Sequence, residues 1–104
     1  MDIKQIRNKI LTGEWVLSQH ARKRAGQRCV KNFEIVIAIA NGEILENYPE
    51  DQRGHSCLVL GYTKDGKALH AVCGFDPCGT LVIITVYFPE PPKWKDPKTR
   101  GKDV

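Results

Sequence analysis

The chain has 104 residues, enough for one domain around one hydrophobic core. With 41% apolar residues and 27% charged residues of both signs, it is too apolar and too mixed in charge to stay disordered. No apolar run approaches the roughly 20 residues of a membrane-spanning helix, and the charged start MDIKQIRNKI lacks the apolar region of a secretory leader. The expected compartment is therefore the cytoplasm.

Residues 2–12 place Ile3, Ile6, Ile10 and Leu11 at near-helical spacing, with Asp2 able to cap the start and Gly13 the stop. Trp15, Val16 and Leu17 read as a short extended or connecting piece. Ser18 is a good N-cap for a second helix over about 19–27. Asn32 is the expected cap of a third helix that carries Phe33, Ile35, Val36, Ile37, Ile39 and Ala40. Asn41-Gly42 is expected to end it through a left-handed C-cap; Ile35 to Ile39 alone would also suit a strand.

From residue 43 the pattern changes to strands. Ile44, Leu45 and Tyr48 suggest the first, followed by a polar loop over 49–54. Residues 56–62 form the second, Asp65-Gly66 a two-residue hairpin turn, and 67–73 the third. A turn over 76–79 leads to the most apolar strand, 80–88. The Pro- and Lys-rich remainder is expected to be an extended tail. The predicted architecture is α+β: a single domain over 1–92, with N-terminal helices packed on a four-stranded antiparallel meander, and a basic tail over 93–104.

Chemistry-bearing side chains gather in two places. Sixteen Lys and Arg against twelve Asp and Glu leave a net charge of +4, and residues 20–31 hold six basic side chains, His20 included, and no acid. Such a cluster attracts phosphates, or else is a solvated helix face. Within it His20, Arg24 and Arg28 recur every four residues and make one helical stripe, with Lys23 beside it. Guanidinium groups suit phosphate, being always charged and offering forked donors. In the strands, the two turns predict Lys64 opposite Lys67, so that His70 faces Gly61, and Phe75 opposite Thr80, so that His70 faces Thr85. His70, Thr85 and Tyr87 then share one sheet face, although a lone strand histidine is more often a satisfied structural residue. Cys57 and Cys73 sit in apolar runs, Cys29 and Cys78 outside them. No spacing of the four suggests a metal site, and structural thiols are expected.

The run Leu17-Ser18-Gln19-His20-Ala21-x-x-Arg24-x-x-x-Arg28, the stretch Asn41-Gly42-Glu43-Ile44-Leu45-Glu46-x-Tyr48-Pro49, the segment Ala68-Leu69-His70-Ala71-Val72, and Ile84-Thr85-Val86-Tyr87-x-Pro89 with Trp94 together resemble domain-of-unknown-function family 4258. The resemblance covers about residues 15–94. It departs at Cys29, where a glycine is expected after the second arginine. It implies a fold related to the barnase, EndoU and RelE-like ribonucleases of toxin–antitoxin systems, and hence a metal-independent endoribonuclease that needs no cofactor. The expected partners are RNA, either free or on the ribosome, and a small antitoxin protein. In that case the ribose 2′-hydroxyl attacks the adjacent phosphate. His20, Arg24, His70, Thr85 and Tyr87 are the expected catalytic set, and Lys23, Arg28 and Trp94 the expected substrate contacts. The alternative is a non-catalytic module of the same fold that binds nucleic acid or protein.

Overall fold

A computed structural model describes residues 1–52 and 54–101. Three helices, α1 (Ile3–Thr12), α2 (Gln19–Gln27) and α3 (Asn32–Ala40), alternate with or precede the strands β1 (Trp15–Leu17), β2 (Glu43–Tyr48), β3 (Ser56–Tyr62), β4 (Ala68–Phe75) and β5 (Leu81–Tyr87). Two further short strands, β6 (Trp94–Asp96) and β7 (Thr99–Arg100), close the chain. Arg53 and the last residues of the expected tail, 102–104, lie outside the described residues.

The helix ends follow from local hydrogen-bonding needs. The Asp2 carboxylate accepts from the Lys4 amide at 2.9 Å and caps α1, and Gly13, left-handed at φ 79°, ends it. The Ser18 hydroxyl accepts from the Ala21 amide at 3.0 Å and donates to the Ile84 carbonyl at 2.6 Å, so one side chain starts α2 and anchors it to β5. Ser18→Ala is expected to cost about 2 kcal/mol in urea denaturation, from the lost cap together with an orphaned carbonyl. Two expectations about α3 are corrected. Asn32 is its first residue rather than its cap; Lys31 is the cap, and the Glu34 carboxylate accepts the Lys31 amide at 3.1 Å. Asn41 is not left-handed (φ −107°, ψ 13°), and its side-chain amide instead donates to the Ile37 carbonyl at 3.0 Å.

The sheet has five strands in the order β1-β5-β4-β3-β2, and it is mixed. The four-stranded antiparallel meander is present as β2 to β5, but Trp15–Leu17 adds a parallel edge strand, Trp15 opposite Leu81 and Leu17 opposite Ile83. Only three residues long, that piece gives no readable alternation, and only the tertiary structure makes it a strand. Because β1 stops opposite Ile83, α2 packs against the remainder of β5 at the sheet edge.

The register differs from expectation at two points. Thr63 N–H donates to the Lys67 carbonyl at 2.9 Å and the Thr63 hydroxyl accepts the Lys67 amide, so the first hairpin loop has three residues, 64–66, with Gly66 at φ 81°. Tyr62 therefore pairs with Ala68, and His70 faces Leu60, not Gly61. At the second turn Phe75 pairs with Leu81 rather than Thr80, and a bulge at Ile84 shifts the pairing again. His70 consequently faces Tyr87, and Val72 faces Thr85. Two one-residue offsets make a slip of two, which restores the face. His70, Thr85 and Tyr87 still point the same way, and the Ile84 carbonyl freed by the bulge is the one Ser18 satisfies.

The main core lies between the helices and one sheet face. Ile6, Ile10, Ala21, Ala25, Ile35 and Ile39 meet Val59, Leu69, Ala71, Leu81, Ile83 and Val86, with the buried thiols of Cys57 and Cys73 among them. Burial pushes the Cys57 thiol up to about 11 and that of Cys73 well above its ordinary range, so both stay protonated. Leu58, Leu60 and His70 occupy the opposite face, where solvent is also excluded. There the C-terminal segment is not an extended tail. Residues β6 and β7 pair as a hairpin strap, Arg100 grips Glu46 with two hydrogen bonds of 2.9 and 2.8 Å, Lys98 meets Glu43 at 2.9 Å, and Trp94, 3% exposed, packs on His70.

Candidate nucleic-acid groove

Between α2, the end of β5 and the strap lies an open groove of about 400 Å³. Arg24 of α2 and Arg28 at its C-cap line it on one side, Thr85 and Tyr87 from β5, and Lys93, Trp94 and Arg100 from the strap and its approach. The two remote segments singled out in the sequence therefore meet. They meet because α2 sits at the sheet edge, where a helical stripe can turn side chains toward the face that carries Thr85 and Tyr87. The groove is rich in cations. Glu90 sits at its rim 4.0 Å from Arg28, with both side chains open to solvent, so that pair holds little energy in water.

Arg100 and Lys93 escaped sequence analysis because the Pro- and Lys-rich segment read as a tail; basic residues flanking a tryptophan were the available signal. Arg100 lies over the Trp94 ring, 4.7 Å from its centroid. Its fork on Glu46 fixes its plane. The Arg100 hydrogen bond is the main reason the Glu46 carboxyl sits below its usual range. Tyr48 donates to the same carboxylate at 2.6 Å, and its phenol is pushed up to about 12, first by burial and then by that hydrogen bond.

The expected site residues divide three ways. Arg24, Arg28, Thr85, Tyr87 and Trp94 line the groove. His20 and Lys23 are exposed on α2 and stand outside its lining, His20 one turn before Arg24 on the same stripe. His70 lies behind the wall, fully buried. Its Nε2 is 2.7 Å from the Pro97 carbonyl and its Nδ1 3.1 Å from the Tyr87 hydroxyl, and the Trp94 and Tyr87 rings meet it edge-on at 4.4 and 5.2 Å. Burial, more than any other cause, holds the imidazole below its ordinary 6.5, against the opposing pull of the Pro97 hydrogen bond and the Glu46 charge. His70 is thus a neutral ring whose hydrogen-bonded link to the groove is Tyr87. Burial likewise raises the Tyr87 phenol, a hydrogen bond with Trp94 acting the other way.

Among the described residues no three His, Cys, Asp or Glu side chains converge to hold a metal ion. Cys29, the departure noted in the sequence, is exposed and itself left-handed at φ 57°, the conformation in which a glycine is the easier residue. What the groove offers is a set of fixed cations, two hydroxyls and an indole, which is the chemistry that holds a phosphate with an adjoining sugar or base.

The family model described as a domain of unknown function, DUF4258, matches residues 17–88. That span includes α2, α3 and β2 to β5, with His20, Arg24, His70, Thr85 and Tyr87, and stops short of the strap. No curated protein and no solved structure matches the chain.

Proposed function

Since the chain belongs to the DUF4258 family, its match covering more than half of the residues, we propose that it is a metal-independent endoribonuclease of a toxin–antitoxin system, with the groove as its phosphate site. The observation that carries this reading is that Arg24 of α2, Arg28 at its C-cap and two hydroxyls of β5 line one cavity. RNA brings its own nucleophile. Attack of O2′ on phosphorus forms a 2′,3′-cyclic phosphate and breaks the P–O5′ bond. Arg24, Arg28 and Arg100 neutralise the crowded phosphate oxygens, and Thr85 and Tyr87 orient the strand. Of the three histidines, His70 is sealed and His55 opens on a different cavity beside Phe75 and Ile84. His20 is then the group that takes the O2′ proton, from a strand laid along α2 past Arg24, while the departing O5′ takes a proton from water.

The second reading is a non-catalytic module that binds RNA, or an acidic antitoxin, in the same groove. Burial of His70 favours it, because it withdraws one of the two imidazoles of the expected catalytic set. The experiment separates the two. Purified protein is incubated with RNA in EDTA, alone and in a translating extract that supplies ribosomes. Cleavage leaving 2′,3′-cyclic phosphate ends is expected, slowed about 10²-fold by Arg24→Ala and lost in His20→Ala. RNA left intact in both settings excludes the nuclease and leaves the binding module.

A further inference from the structure

The Pro97 carbonyl can only accept a hydrogen bond. The 2.7 Å contact therefore puts the His70 proton on Nε2 and leaves Nδ1 with a lone pair. At 3.1 Å from that lone pair, the Tyr87 hydroxyl is the donor. Its hydrogen is thus turned away from the groove into the buried ring, and only oxygen lone pairs remain for a ligand. Around it stand Arg24, Arg28, Arg100 and Lys93, all donors that cannot accept. Glu90 and the Thr85 hydroxyl could also accept, but Glu90 sits at the exposed rim with Arg28 as its partner, and the Thr85 hydroxyl can turn its own hydrogen to a phosphate.

A phosphate satisfies the four cations and has nothing to give to Tyr87. The complementary ligand carries a hydrogen-bond donor a few ångströms from an anionic phosphate. In a nucleic-acid strand the group that fits is the ribose 2′-hydroxyl beside its 3′-phosphate. We propose that Tyr87 reads the ribose 2′-hydroxyl as a hydrogen-bond acceptor, held in that role by the buried positioning residue His70, so that the groove selects ribonucleotide over deoxyribonucleotide strands. This rests on the groove being a nucleic-acid site but not on cleavage: the hydroxyl donates to Tyr87 in the bound strand, and for cleavage that hydrogen bond is exchanged for one to His20, which takes the proton.

The test is fluorescence anisotropy of labelled oligouridylate octamers in the cold with EDTA, their integrity checked on a gel afterwards. Three strands are compared: ribose, 2′-deoxy and 2′-O-methyl. The methyl ether keeps the 2′-oxygen as an acceptor and removes its donor. The ribose strand is expected to bind about tenfold tighter than either analogue, roughly the effect of one hydrogen bond. Tyr87→Phe, which removes only the phenol oxygen, is expected to bring all three to the affinity of the deoxy strand. His70→Gln keeps one donor for Pro97 and one acceptor for Tyr87, and is expected to retain a preference; His70→Leu, where it folds, is expected to lose it, because the hydroxyl is then free to turn. A wild-type protein that binds all three strands alike, or a Tyr87→Phe variant that keeps the preference, overturns the assignment and leaves the groove as a nucleic-acid site. Binding of none of the strands overturns the reading of the groove itself.

Discussion

Gly61→Ala is expected to abolish the cooperative fold or to cost on the order of 3 kcal/mol, the upper range for overpacking a core. Gly61 lies near the end of β3 beneath α3. A Cβ built there would stand 2.0 Å from the Ala38 carbonyl oxygen and 2.4 Å from its carbon. The obstacle is helix backbone, so no rotamer change relieves it, and α3 must lift from the sheet. Ala38, 1% exposed, and Ile39 beside it are core residues of that helix, so the displacement would open the main core. Thermal melts followed by circular dichroism measure the effect; a melting temperature within a few degrees of wild type contradicts the close approach of α3 and β3.

The second large effect belongs to His70. Truncation to alanine leaves a cavity between Trp94 and Tyr87, removes the partner of the Pro97 carbonyl and frees the Tyr87 hydroxyl. Together these are expected to cost on the order of 3 kcal/mol. The pH dependence follows from the lowered proton affinity of the ring. Unfolded, this histidine binds a proton near its ordinary 6.5, whereas the folded protein binds it only at lower pH. Between those values the unfolded state holds more protons, so stability rises with pH and falls as pH drops below about 6.5. Protonation would place a charge beside the Arg100 guanidinium, although Glu46 tempers it. Urea midpoints taken from pH 7.5 down to pH 5 should decline more steeply for wild type than for His70→Gln. Parallel declines would mean that the ring is as accessible to protons folded as unfolded.

The features legible in the sequence were those set by neighbours along the chain. Asp2, Gly13 and Ser18 fix helix ends by satisfying amides and carbonyls within a few residues, and α2 runs over the expected 19–27. Strand alternation placed His70, Thr85 and Tyr87 on one face, and the helical period placed Arg24 and Arg28 on one stripe. Register was not legible, because it depends on one extra residue in each of the two hairpin loops and on a bulge at Ile84, none of which has a composition signature. The parallel β1 was missed because three residues carry no period. The strap was missed for a physical reason as well. Its prolines lack amide donors and look unfit for a sheet, yet β6 and β7 need only pair with each other while Glu43 and Glu46 hold the basic side chains. Since the strap hides His70, the burial that decides that residue's role was unreadable before the fold was known.

The claim on which the function turns is that Arg24 and Arg28 contact the phosphates of a bound strand in the groove. The affinity of a single-stranded RNA octamer is measured by anisotropy from 50 to 300 mM salt, for wild type, for Arg24→Ala and Arg28→Ala, and for Arg22→Ala as a control, since Arg22 lies on α2 outside the groove lining. Each phosphate contact on a single strand contributes about −0.7 to the slope of log K against log salt. Each groove substitution should therefore weaken binding and flatten the slope by about that amount, with Arg22→Ala close to wild type. Slopes unchanged by loss of either groove arginine, or changed equally by Arg22→Ala, would contradict a phosphate site between α2 and β5.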